Sequence, residues 1–275
     1  GTLLVDTGFR GGSLLDLAEL AELAVARVET IVRLETVAED LARNGVSAAA
    51  YPGAFRDAVA AALPASVGFK TVLAYRGGLD IDPEPPTDAE AIDAAGRWLA
   101  SVEGTGQARL TDPVLLRFGI WQAVRTGRPL QVHTGFGDSD LDMHRADPSL
   151  LTPFLRRTEG LSPVMLLHTY PFHRTAGYLA QMFGHVHVDV GLAVHHTGVA
   201  SERITSGAAV ISSTVSPFMR NPTRKPPICA GVAWPVMMAC MTARMSSLAR
   251  SRRSVTARMA VGMSMVQVRC IKQQN

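Results

Sequence analysis

Along the first 200 or so residues, short apolar runs alternate with longer segments in which apolar positions recur at helical spacing. The short runs, rich in Leu and β-branched residues, lie at 2–6, 28–35, 67–75, 129–134, 163–169 and 185–190 and predict strands. Helices are expected between them at 13–25, 38–62, 87–103, 112–127, 149–158 and 173–183. Several open on capping side chains, including Ser13, Thr87, Thr111 and Ser149. Six β/α units in this order predict a parallel α/β fold. An eight-fold barrel entered at its second strand would place strands two to seven here. The expected fold is therefore α/β: an incomplete TIM (β/α)8-type barrel lacking its first strand, with an atypical C-terminal tail. A doubly wound open sheet is the rival, weakened because no G-x-G-x-x-G follows any of the runs.

Charge divides the chain more sharply than hydropathy does. Its 275 residues carry a net charge of +3, but all 24 acids lie in residues 1–202 with 16 Lys and Arg, while residues 203–275 hold 11 Lys and Arg and no acid. The two parts are thus −8 and +11. An ordinary stretch of the second length holds about 9 acids. The same stretch has eight of the eleven Met and all three Cys, at 229, 240 and 270. Two readings follow. A basic tail suits nucleic acid or another acidic surface, but Phe218 and Trp234 are its only aromatic residues for stacking. The favoured expectation is a change of coding frame between about Glu202 and Asn221, leaving 1–202 as a barrel-like domain and 203–275 as a tail never selected to fold. Its Cys then carry no redox or metal message. The opening Gly1, running straight into Leu3-Leu4-Val5, reads as a chain entered at a strand, with something upstream missing.

Every predicted strand ends on polar residues, and in parallel barrels that end builds the active site. The ends supply Asp6, Arg33 with Glu35, Tyr75 with Arg76, His133, His168 and Asp189. His133 and His168 close successive apolar runs and are the first candidates for ligand or catalytic roles. Lys70 lies inside an apolar strand, where an unpartnered ammonium is costly. It either meets an inward partner or snorkels outward between helices. His185 and His187 share the spacing of a metal-binding pair, yet His185 starts its strand at the end away from the rim, so a structural role is expected. His144, His173, His195 and His196 fall on rim loops. The acidic loop 136–142 is spaced like a calcium loop but lacks the required Glu at loop position twelve.

At Pro129-Leu130-Gln131-Val132-His133-Thr134-Gly135-Phe136-Gly137-Asp138 and Leu166-Leu167-His168-Thr169-Tyr170-Pro171-Phe172-His173-Arg174 the chain resembles the amidohydrolase superfamily. It is most similar to the amidohydrolase-related group whose domain is fused to glutamine synthetase-like proteins in some plants and fungi. Val32-Arg33-Leu34-Glu35, the run from Phe69 to Arg76, the run from Asp142 to Pro148, and Val188-Asp189-Val190-Gly191 add to the match, which covers roughly residues 1–202. The resemblance implies a barrel holding one or two divalent ions through an H-x-H on the first strand, a His on the fifth, sometimes a His on the sixth, and an Asp on the eighth. His133 matches the fifth-strand ligand and His168 the sixth-strand His. The first-strand pair would precede Gly1, and no acid follows Glu202 to supply the eighth-strand Asp.

The implied activity is metal-dependent hydrolysis at a C–N bond of a small substrate, impaired in this chain. The implied cofactor is Zn²⁺, with Mn²⁺ as the alternative, bound weakly for want of ligands. Such an ion lowers the pKa of its water to about 7. Lys70 and Asp189 join His168 as candidate catalytic groups. Arg33, Glu35, Tyr75, Arg76, Arg145 and His173 are candidate substrate contacts, the arginines suiting a carboxylate. A decarboxylase on the same scaffold and a non-catalytic binding protein remain as alternatives. The expected partner is a small molecule, with a homo-oligomer left open. With no membrane span and no signal peptide in the sequence, a cytoplasmic location is the default.

Overall fold

In a computed structural model of the chain, residues 1–8, 15–189, 191–192, 258–261 and 266–269 are described. The expectations for Ser13, His195, His196, the frame change and the three Cys lie outside them. Six strands alternate with helices: β1 (Thr2–Asp6), α1 (Leu17–Ala24), β2 (Arg27–Arg33), α2 (Leu34–Arg43), α3 (Tyr51–Ala62) and β3 (Ser66–Thr71). There follow α4 (Asp88–Thr105), α5 (Pro113–Arg125), β4 (Leu130–His133), α6 (Thr152–Arg157), β5 (Val164–Leu167), α7 (His173–Met182) and β6 (Val186–Val188). All five pairings from β1 to β6 are parallel, and the strands lie side by side in chain order. A doubly wound sheet reverses its strand order part-way across; an uninterrupted order is that of a barrel wall. Among the described residues the wall stays open at both edges. A separate antiparallel pair joins β7 (Arg258–Val261) to β8 (Val266–Arg269).

Register sorts the side chains. Val32, Phe69, Leu130, Val164 and Val186 are partners across five strands and pack with the helices in the main apolar core. Tyr51, Phe55, Trp98 and Phe118 extend that core, their rings meeting at centroid separations of 5.9 to 6.3 Å. One residue further along each strand the next row faces the other way. It reads Arg33, Lys70, Gln131, Met165 and His187. The sheet thus has an apolar, helix-covered face and a face on which charged and polar groups gather.

The structure departs from the sequence expectation at three helices. The single helix over 38–62 is two, separated after Asn44 by Gly45, whose φ of +75° a residue with a side chain rarely adopts. The cap of α5 is Asp112 rather than Thr111, because Asp112 Oδ1 takes the amides of Val114 and Leu115. Ser149 belongs to a 3-10 turn over Pro148–Leu151, capped by Asp147 Oδ1, and α6 begins only at Thr152. Thr87 caps α4 as expected, with Glu90 closing the reciprocal bond to the Thr87 amide.

Candidate functional site

The carboxyl ends of the strands bring most of the expected residues together. Asp6 ends β1 with its side chain fully buried. Arg33 ends β2, and its Nε and Nη2 donate to Asp6 Oδ2 at 2.9 and 2.5 Å. Lys70 points inward and sets its Nζ 3.3 Å from the same oxygen, with only 4% of its side chain exposed. Burial pulls the ammonium's pKa down and Asp6 restores it only in part. Burial also raises the Asp6 carboxyl, but Lys70 and Arg33 together outweigh that and hold it below the usual carboxylate range. Two cations therefore share one carboxylate on the sheet's polar face.

His133 ends β4 and His168 follows β5 directly. Their ring centroids lie 4.7 Å apart, nearly edge to face, and the Tyr75 ring lies 4.7 Å from His133 on another side. Neither His133 Nε2 nor His168 Nδ1, both buried, has a hydrogen-bond partner. Burial, the neighbouring His168 and the Lys70 charge hold the His133 pKa well below the ordinary imidazole value. Burial and Lys70 push that of His168 down to about 3. Both rings are neutral near pH 7, the form in which imidazole offers a lone pair. His168 itself has a φ of +71°.

The other expected residues surround this centre at differing depth. Tyr75 lies in a 3-10 turn after β3, and its hydroxyl accepts the Asp138 amide at 2.9 Å. Arg76 meets Glu39 at 3.0 Å, leaving its buried Nε and Nη1 without a partner. Glu35 lies buried in the first turn of α2, where its Oε1 accepts from Thr71 Oγ1 at 2.6 Å and from the Val72 amide at 3.0 Å. Burial raises its carboxyl, and those bonds offset the rise only in part. Asp189 follows β6, with Oδ1 accepting the Gly191 amide at 2.6 Å. His173 starts α7 with its ring stacked on Tyr170 at 5.5 Å. Arg145 is exposed and donates to the Gly77 carbonyl, and His144 is exposed nearby. His187 sits in register with Met165 on the polar face, whereas His185 Nε2 lies 3.3 Å from Thr158 Oγ1 at the far end of the strand.

Sequence reasoning passed over Gln131, which lies between Lys70 and Met165 in the row, buried and with Oε1 unpartnered. Strand alternation from His133 was the signal that places it. It also gave Asp6 no role as a shared counter-ion, because β1 and β3 are joined only through the fold.

Two of the donors that the resemblance implies fit a divalent ion: His133 Nε2 and His168 Nδ1 are nitrogen atoms of neutral rings, buried and free of protein partners. No group of three His, Cys, Asp or Glu able to hold an ion occurs among the described residues. A barrel wall with imidazoles and cations collected at one end of its strands defines a class, that of parallel α/β barrel-like proteins with a polar rim. Particular relatives agree. The crystal structure of a Lactobacillus casei protein provisionally named a metal-dependent hydrolase matches with a TM-score of 0.68 and 29% identity, over 92% of this chain and 74% of that one. Protein fluG of Emericella nidulans is 31% identical over 166 residues, or 57% of this chain. The match takes in only 18% of fluG, so the chain corresponds to a small part of that relative. No protein-family model matches the chain. The resemblance to amidohydrolase-related proteins read at His133 and His168 is thus supported by fold and by identity together. No described helix is long and apolar enough to cross a membrane.

Proposed function

We propose that the chain carries a metal-dependent hydrolase site of the amidohydrolase type, acting on a C–N bond of a small substrate, with His133 and His168 as its metal ligands. The observation that supports this most is the pair of unpartnered buried nitrogens on neutral rings 4.7 Å apart. A buried polar atom without a partner is uncommon and calls for an explanation, and a ligated cation is one. When bound, a divalent ion would supply an activated water at neutral pH. Lys70 and Arg33 hold Asp6 in its charged form on the polar face. The unpartnered nitrogens of Arg76 suit a substrate bearing a carboxylate. Tyr75 is braced by Asp138 and packs on His133, which restricts the ring to one orientation. The carboxylate preference also favours the second reading, a decarboxylase using the same ligands.

Two imidazoles alone hold an ion weakly. After incubation with Zn²⁺ or Mn²⁺ and brief desalting, the protein is expected to retain a fraction of an equivalent of metal by elemental analysis. The double variant His133→Asn/His168→Asn should retain none. Equal retention by the two proteins would overturn the assignment. Amide and carboxylate test substrates, scored for amine or carbon dioxide release, separate hydrolase from decarboxylase.

A further inference from the structure

Three of the site's residues, Lys70, His133 and His168, are each followed by threonine. Thr71, Thr134 and Thr169 are all buried, at 1%, 0% and 0% exposure. Each hydroxyl reaches a neighbouring unit of the wall. Thr71 Oγ1 donates to Glu35 Oε1, Thr134 Oγ1 to the Leu167 carbonyl at 2.7 Å, and Thr169 Oγ1 to the Asp189 carbonyl at 2.9 Å.

Thr134 differs from the other two in what it joins. It comes directly after His133, and its acceptor is the carbonyl directly before His168. Its amide donates to the same oxygen at 3.1 Å, so one residue holds the Leu167–His168 peptide with two donors. The residue so held is His168, whose left-handed backbone is costly for a residue with a Cβ and persists only where its surroundings fix it. Downstream, the Tyr170 amide closes on the His168 carbonyl and Thr169 ties the turn to Asp189. The two imidazoles are therefore linked through a few backbone atoms, and the Thr134 hydroxyl is the side-chain element of that link.

We propose that Thr134 is a positioning residue: its hydroxyl fixes the left-handed turn at His168 and thereby sets the spacing of the His133 and His168 rings on which metal affinity depends. The metal part of this inference rests on the reading of both histidines as ligands. The backbone part does not. Water cannot replace the hydroxyl at a fully buried site, and valine keeps the branched shape while deleting the donor.

Full-length wild type, Thr134→Val and Thr134→Ser are compared by two measurements. The first is the ¹³C Cα and Cβ shifts of His168 without metal, which report a positive φ. Wild type and Thr134→Ser are expected to show that signature and Thr134→Val to lose it. The second is titration with Co²⁺ followed by visible absorption. Thr134→Val is expected to bind about tenfold more weakly, the lower end of the effect of removing a group that orients a ligand, with Thr134→Ser restoring the affinity. Wild-type shifts and affinity in Thr134→Val would overturn the proposal. A wild type that takes up no Co²⁺ would end the ligand reading, while the shifts still decide the role of the hydroxyl. Should Thr134→Val not fold, Thr134→Ser and Thr134→Ala, which differ by the hydroxyl alone, provide the same comparison.

Discussion

Asp6 is a buried carboxylate that Arg33 and Lys70 both contact, so its loss is costly. Asp6→Asn keeps the shape and removes the charge that Arg33 and Lys70 both contact. Breaking a buried pair in this way costs about 3–5 kcal/mol, and urea denaturation of the variant should show a loss of that order. Acid acts on the histidines first. Between its ordinary value near 6.5 and about 3, His168 is neutral when folded and protonated when unfolded. The unfolded state then binds more protons, so stability falls as pH drops through that window. The His168→Gln protein should show a shallower decline in its denaturation midpoint over the same range. Asp6, depressed below its ordinary value, keeps its contribution until more acid conditions. Sequence spacing brought His133 and His168 to one rim because each closes an apolar run. It left Lys70 open between facing in and facing out, since the deciding group, Asp6, sits two strands away.

Strands and helices were legible to within a few residues where period and caps agreed, as at β1 and at the start of α4. The misplaced cap of α5 had a readable cue: Pro113 occupies the first helical turn, which makes the residue before it the cap. The span 38–62 holds two helices because Gly45, with its positive φ, follows the capped end of α2, while Pro52 lies in the first turn of α3. Gly135, following Thr134, shows how tightly the ends of β4 and β5 meet. It has a φ of +61°, and a Cβ there would run into the Tyr170 carbonyl. Gly135→Ala therefore meets both backbone strain and a clash with main chain. A loss of about 1–3 kcal/mol is expected from the backbone conformation alone, measurable as a lower midpoint in chemical denaturation.

For the whole chain, composition and topology speak to different parts. Six parallel strands in chain order were legible as a repeating β/α pattern, but the pattern alone left the doubly wound rival open, and only the strand order decides between them. The uneven charge makes a simple prediction. The full chain, at +3, should bind a cation exchanger at pH 7, whereas a chain ending at Glu202, at −8, should pass through it and bind an anion exchanger. Retention of the shorter chain on the cation exchanger would show that the acids of 1–202 are masked.

Because the strands stand in the order in which they are synthesised, position along the polypeptide doubles as position along the polar ends of the sheet. Asp6, Arg33, Lys70, His133, His168 and Asp189, each at or next to the end of its strand, follow one another across the sheet as they do along the chain. Exchanging a single β/α unit would therefore redecorate one stretch of that edge and leave its remaining neighbours in place. New specificities could be installed piecewise, one segment at a time.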